Sequence, residues 1–171
     1  LRDPEYPREL NEEKGDASLQ YILDKGELIL GLDETFPPMG YRDANGDIIG
    51  FDIDLATEVC SRLGVKLKLQ PINWDSKEME LNGKTIDCIW NGMSITDERI
   101  SGMDLSTPYI ANKQIIIVKS DSGISTKADL AGKTVGAQQG SSAVDAISAE
   151  PDVKASFGSL NEYASNDEAF L

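Results

Sequence analysis

Residues 48–60 read IIGFDIDLATEVC. Phe51, Ile53 and Leu55 alternate with Asp52 and Asp54, the period of a half-buried strand. Ile53, Ala56, Val59, Cys60 and Leu63 are spaced instead as one face of a helix. Both periods hold if they are successive. A strand then becomes a helix near Asp52, with Phe51 as the last residue before it, at the mouth of a cleft. Asp52 and Asp54 read as N-cap and first-turn acids, favoured by the helix dipole. Gly64 is a suitable C-cap.

Strand-then-helix units extend outward on both sides. Before the stretch, 16–25 reads as a short helix stopped at Gly26, and 27–33 as an apolar strand. A hairpin follows, with Asn45-Gly46 as its turn. After it come a strand over 65–72 and a short helix ended by Asn82-Gly83. TIDCIWNGMSI (85–95) is a strand running into a loop, and TDERISG is one or two helical turns. QIIIVK (114–119) is an apolar strand. The second half repeats the grammar: TKADLAG as a short helix, KTVGAQQG as strand and glycine loop, and SSAVDAISAE as a helix broken by Pro151. DVKASFG (152–158) is another strand, and SNDEAFL starts a helix. This alternation predicts an α/β fold with a largely parallel sheet. GELILGLDETF and GKTVGAQQGSS echo one another, which suggests two lobes. The expected division is a tether over 1–16, a first lobe over 17–110 and an incomplete second lobe over 111–171, with 106–114 at the boundary.

The totals exclude several functions. The chain of 171 residues carries 30 acidic against 16 basic residues, a formal net charge of −14. Nucleic acid is not an expected partner, because a phosphate backbone needs a basic face. No histidine is present, which removes His-based acid–base pairs, triads and zinc sites. Cys60 and Cys88 lack metal spacing and read as core thiols, with a pairing between them left open. No cofactor is expected.

Polar residues follow apolar strands in three places, and ligands of open α/β sheets bind beyond the carboxyl ends of strands. Asp33 follows the first strand; it suits an ammonium group, or caps a turn. Asn91, Gly92, Ser94 and Thr96 follow IDCIW, with Arg99 one turn into the next helix. That arginine suits a carboxylate, or pairs at the surface with Asp97 or Glu98. Gln138, Gly140, Ser141 and Ser142 follow KTVGA; without a P-loop lysine or spacing they do not bind nucleotide, and the serines are also ordinary N-caps. Phe36, Phe51 and Trp90 wall a pocket or pack in the core. A carboxylate clamp, an ammonium acceptor and an aromatic wall together describe a free α-amino acid.

From about Gly26 onward the sequence resembles the family 3 solute-binding proteins of ABC transporters. The resemblance rests on GFDIDLATEVCSRLGV, GLDETFPPMGYRDANGDIIGFDIDL, IDCIWNGMSITDER, STPYI and LAGKTVGAQQGSSA, in that order. It implies a two-lobed, type II periplasmic-binding-protein-like fold outside the cytoplasm, either periplasmic or lipid-anchored. Its function would be to capture a polar or charged amino acid by hinge closure and deliver it to a membrane permease. Asp33 would contact the ammonium, Phe36 and Phe51 would sandwich the ligand side chain, and Asn91, Gly92 and Ser94 would supply polar contacts. Arg99 would clamp the α-carboxylate, Gln138, Ser141 and Ser142 would close from the second lobe, and Trp90 would help to set the far end. A ligand-sensing receptor domain and a cyclohexadienyl-dehydratase-like enzyme share the scaffold and are the alternatives. Family members continue past NDEAFL, so the expectation is a fragment, a split protein, or a homo-oligomer that exchanges segments.

Overall fold

The computed structural model describes residues 17–171, so the expected tether lies outside the described residues. Helix α1 (Ser18–Lys25) leads into β1 (Glu27–Leu32), which is followed by the short strands β2 (Thr35–Phe36), β3 (Gly40–Arg42) and β4 (Ile48–Ile49). Helix α2 (Phe51–Leu63), β5 (Lys66–Pro71), α3 (Lys77–Asn82), β6 (Cys88–Ile89) and α4 (Asp97–Gly102) come next. The last part holds β7 (Thr134–Gln138), α5 (Ser142–Ser148), α6 (Pro151–Ser156), β8 (Ser159–Tyr163) and α7 (Asn166–Phe170).

The main sheet has the order β5-β1-β6, all parallel. The chain leaves β1 for one neighbour and later returns to the other, so a crevice opens at the carboxyl ends of β1 and β6. Asp33 and Asn91 stand just past those two ends. The β2-β3-β4 meander is antiparallel, and β7 and β8 form a separate parallel pair. Among the described residues no helix is long and apolar enough to cross a membrane.

Leu30 and Leu32 of β1 are fully buried, packed against Ile53 and Ala56 of α2. Cys60 is also buried, whereas Val59 is exposed, so the inward face of α2 is narrower than its apolar spacing implies. Helix α2 begins one residue earlier than expected. Phe51 is its first residue, Gly50 is the N-cap, and Asp52 lies inside the first turn, fully buried rather than capping. The free N–H groups of that turn find backbone acceptors: Phe51 donates to the Pro38 carbonyl at 2.9 Å and Asp52 to that of Met39 at 3.0 Å. Gly64 caps the other end in the left-handed conformation, as expected.

Three other expectations change. Residues 114–119 form no strand, because no ladder partner lies beside them among the described residues, and Ile115 is 74% exposed. DVKASFG is mostly helix: Pro151 begins α6 rather than only ending α5, since its missing N–H costs nothing in a first turn. The strand expected there is β8, immediately downstream. The strand within 85–95 shrinks to Cys88–Ile89. Both cysteines are free; burial raises the Cys60 thiol and pushes that of Cys88 up to about 12, which leaves it unreactive.

Gly50 fixes how α2 enters. Its φ is +139°, and a Cβ there would lie 2.4 Å from the Met39 carbonyl oxygen. Gly50→Ala is expected to destabilise the fold by at least about 1–3 kcal/mol from backbone strain alone, measured by urea denaturation.

Candidate functional site

A cavity of about 920 Å³ runs from the carboxyl ends of β1 and β6 past the loop after β7 and on along β7, where residues 112–118 and parts of α5 and α7 also line it. Phe36, Asn91, Gly92, Ser94 and Arg99 line it from the first half of the chain, and Gln138, Ser141 and Ser142 from the second. Residues far apart in the chain, from Phe36 to Ser142, are thereby brought to one space. Trp74, which sequence reasoning passed over, lines it too, from a 3-10 turn directly after β5.

Arg99 is only 7% exposed. The surface pair with Asp97 or Glu98 does not form. Its Nη1 donates to the Ser94 carbonyl at 2.9 Å and its Nη2 to the Gly140 carbonyl at 3.3 Å. Thr96 caps α4 by accepting the Arg99 backbone N–H at 3.3 Å, which places the side chain in the cleft. No carboxylate forms an ion pair with this guanidinium among the described residues. A buried cation held only by neutral carbonyls is electrostatically incomplete.

Of the two roles that the sequence left open, Asp33 takes the turn cap. One carboxylate oxygen accepts the Thr35 N–H at 2.8 Å and the Thr35 hydroxyl at 2.6 Å, closing a turn. The other accepts the Gln138 amide at 2.7 Å, reaching across to β7. Gln138 is itself fixed, donating to the Ala164 carbonyl at 3.2 Å and accepting from Asn166 at 3.2 Å. Ser142 donates to Ser94 at 3.0 Å, a second bridge between the halves. Two buried oxygens on residues that line the cavity have no hydrogen-bond partner, Asn91 Oδ1 and Ser141 Oγ. Buried polar atoms of this kind are rare in folded proteins and mark where a partner belongs. Among the described residues no group of His, Cys, Asp and Glu is arranged to hold a metal ion.

Asp33, Phe51 and Trp90 are not among the lining residues; the two aromatics pack around Tyr109, which the sequence analysis did not single out. Phe51 stacks on Tyr109 with centroids 6.5 Å apart, and Trp90 meets it edge-on at 6.4 Å. Phe51 remains 45% exposed. The Tyr109 hydroxyl donates to Asp52 at 2.8 Å and accepts the Gly92 N–H at 3.2 Å. The Gly92 N–H is therefore spoken for, and Asp52 ties α2 to the segment that leaves the first half. Only the tertiary fold brings positions 52, 92 and 109 together, and no local spacing signals them.

Burial raises the Asp52 carboxyl above its ordinary value, with the Tyr109 hydrogen bond pulling it part of the way back. Burial, and then the Asp52 carboxylate, raise the Tyr109 phenol. Because the folded-state value of Asp52 is raised, its protonated form favours folding. That contribution is complete below the unfolded value and fades as pH rises through the folded one. Tyr109→Phe removes the hydrogen bond that favours the carboxylate. The variant is expected to lose about 1–3 kcal/mol near neutral pH and less near pH 4, by urea denaturation at both. An equal loss at the two pH values would count against this role.

The sequence pattern of the bacterial extracellular solute-binding proteins, family 3, matches residues 28–168. The chain is 38% identical over 120 residues to the L-cystine-binding protein TcyJ of Escherichia coli (strain K12), an alignment covering 69% of this chain and 45% of that protein. It is 36% identical over 117 residues to the arginine-binding extracellular protein ArtP of Bacillus subtilis (strain 168), covering 68% of this chain and 46% of that one. It thus spans about half the length of these curated relatives. An ABC uptake transporter substrate-binding protein from Streptococcus pneumoniae, solved with bound histidine, superposes with a TM-score of 0.86 at 42% identity. That superposition covers 91% of this chain and 64% of the other. The fold is accordingly the two-lobed, type II periplasmic-binding-protein architecture.

Proposed function

This chain belongs to the bacterial extracellular solute-binding proteins of family 3, and we propose that it holds a free polar or charged amino acid between its two lobes. It delivers that ligand to the membrane permease of an ABC transporter. It works outside the cytoplasmic membrane, in a periplasm or held by a lipid on the outer face. The first lobe is residues 17–110 and the second begins at 111.

The observation that carries this reading is Arg99, a buried guanidinium without a carboxylate, lining the cavity beside Asn91 and Ser141, each of which keeps an unpartnered side-chain oxygen. A ligand α-carboxylate supplies the missing anion, and a planar guanidinium accepts it through two parallel hydrogen bonds. The ligand ammonium needs oxygen acceptors, for which Asp33 and Asn91 Oδ1 are the candidates. Phe36 and Trp74 offer the apolar wall. Capture proceeds by closure of one lobe on the other, which the Asp33–Gln138 and Ser94–Ser142 bridges support.

Binding without chemistry fits better than catalysis. A general acid must keep a protonated carboxyl free to reach its substrate. Asp33 spends three hydrogen bonds on Thr35 and Gln138. The relatives named above are themselves solute-binding proteins, with cystine, arginine and histidine as their ligands.

A thermal-shift screen of the twenty amino acids and L-cystine tests the reading, because a ligand of the native state raises the melting temperature. At least one polar or charged amino acid is expected to do so; no shift with any at millimolar concentration would overturn it. Arg99→Ala is expected to weaken binding of that ligand by about 2–5 kcal/mol in calorimetry, since the carboxylate loses its charged partner. Asp33→Asn is expected to weaken amino acids more than their deaminated analogues. Equal losses for both would remove its ammonium role.

A further inference from the structure

Lys77 is 3% exposed, an unusual place for a lysine, and it does not line the cavity. Its ammonium has three protons to place. It donates to the Trp74 carbonyl at 3.2 Å and the Gly140 carbonyl at 3.0 Å, and lies 3.2 Å from the Glu78 carboxylate. It also sits 5.2 Å above the centre of the Trp74 ring. The Gly140 carbonyl is the same oxygen that Arg99 reaches from the ligand side.

A second contact lies beside the first. Gln139 donates to the Asp75 carboxylate at 3.1 Å. Gly140, at φ +65°, lies so close to Asp75 that a Cβ would come within 2.8 Å of its Oδ1 and 2.9 Å of its Cα. The turn at 73–77 and the loop at 138–142 therefore interlock, through side chains that stand outside the cavity.

We propose that Lys77, Asp75, Gln139 and Gly140 form a latch that holds the 138–142 loop closed over the cavity, so that ligand affinity depends on groups that never touch the ligand. This rests on the amino-acid-binding reading above. When the loop lifts, Lys77 loses one of its acceptors within a nearly dry pocket, which favours the docked position. Lys77 also positions Trp74, whose ring walls the cavity. Measured affinity scales with the fraction of molecules able to close, so a weakened latch lowers it for every ligand alike.

The test uses the full chain with L-arginine, L-histidine and L-cystine as probes. Dissociation rates come from stopped-flow fluorescence, and the ligand-free radius of gyration from small-angle scattering. Lys77→Met keeps the buried stem and removes the charge; it is expected to speed dissociation about tenfold. Gln139→Ala changes an exposed side chain, and a two- to threefold increase is expected, roughly the effect of losing one exposed hydrogen bond. Gly140→Ala, which blocks the close approach, is expected to enlarge the ligand-free molecule. In all three variants the ranking of the probes stays as in the parent. Unchanged dissociation rates and radius in Gln139→Ala and Gly140→Ala would overturn the latch. So would a changed probe ranking, which would mean direct ligand contact. If none of the probes binds the parent chain, the amino acid that shifts the melting temperature in the screen above takes their place, and if the screen finds none the binding reading fails while the ligand-free scattering comparison still decides the latch.

Discussion

Strand β1 is hydrogen-bonded on both edges, to β5 along its whole length and to β6 near its end. Its two fully buried leucines are the floor on which α2 rests. Because all three strands run the same way, their carboxyl ends emerge at one edge of the sheet. The chain's reversal of direction across β1 leaves that edge open between β1 and β6. Asn91, and with it Ser94 and Arg99, are delivered to the same space by this arrangement, and Asp33 stands just past the end of β1 beside it. A shift of one residue in the β1 register would turn Leu30 and Leu32 out of the core.

Among the described residues four charged side chains are buried around that space: Asp33, Asp52, Lys77 and Arg99. Buried charges are costly unless they are hydrogen-bonded or paired. Three of them reach across to another part of the chain: Asp33 to Gln138, Asp52 to Tyr109, and Lys77 to Gly140. Each such link is stretched over more than fifty residues, so each ties together parts of the fold that the core alone does not join. Arg99 also reaches Gly140 but lacks an anion, and this asymmetry is what gives the cavity its chemical character.

Much of this was legible in the sequence. The helical spacing of Ile53, Ala56 and Cys60 located α2 and Gly64 located its end, whereas the strand-like alternation over 51–55 lies wholly inside the helix. Phe36, Asn91, Gly92, Ser94, Arg99, Gln138, Ser141 and Ser142 all line one cavity, because they lie at or a few residues past strand ends or, for Arg99, in the first turn of the helix that follows. Other features escaped. QIIIVK is apolar and β-branched, but a strand exists only beside a partner, and propensity does not supply one. Pro151 has opposite meanings at the end of one helix and the start of the next, and only the neighbouring backbone decides between them. Lys77 and Tyr109 carry no local signal, since a lysine on a short helix and a tyrosine after a proline are ordinary surface residues until something packs on them.

The sequence by itself determined the α/β alternation, the acidic character that argues against a nucleic-acid partner, the ordered family motifs and the residue types at the strand ends. Those properties depend on short-range spacing and composition, which a linear string contains in full. The tertiary structure decided which polar groups are already satisfied and which are left open. It turned Asp52 from a cap into a buried anchor and drew Phe51 and Trp90 onto Tyr109. It also removed the Gly92 N–H from use and left Arg99 without an anion. Hydrogen-bond satisfaction is a property of pairs, and the partners here are separated by 17 to 105 positions along the chain. No local pattern encodes them; burial and geometry do.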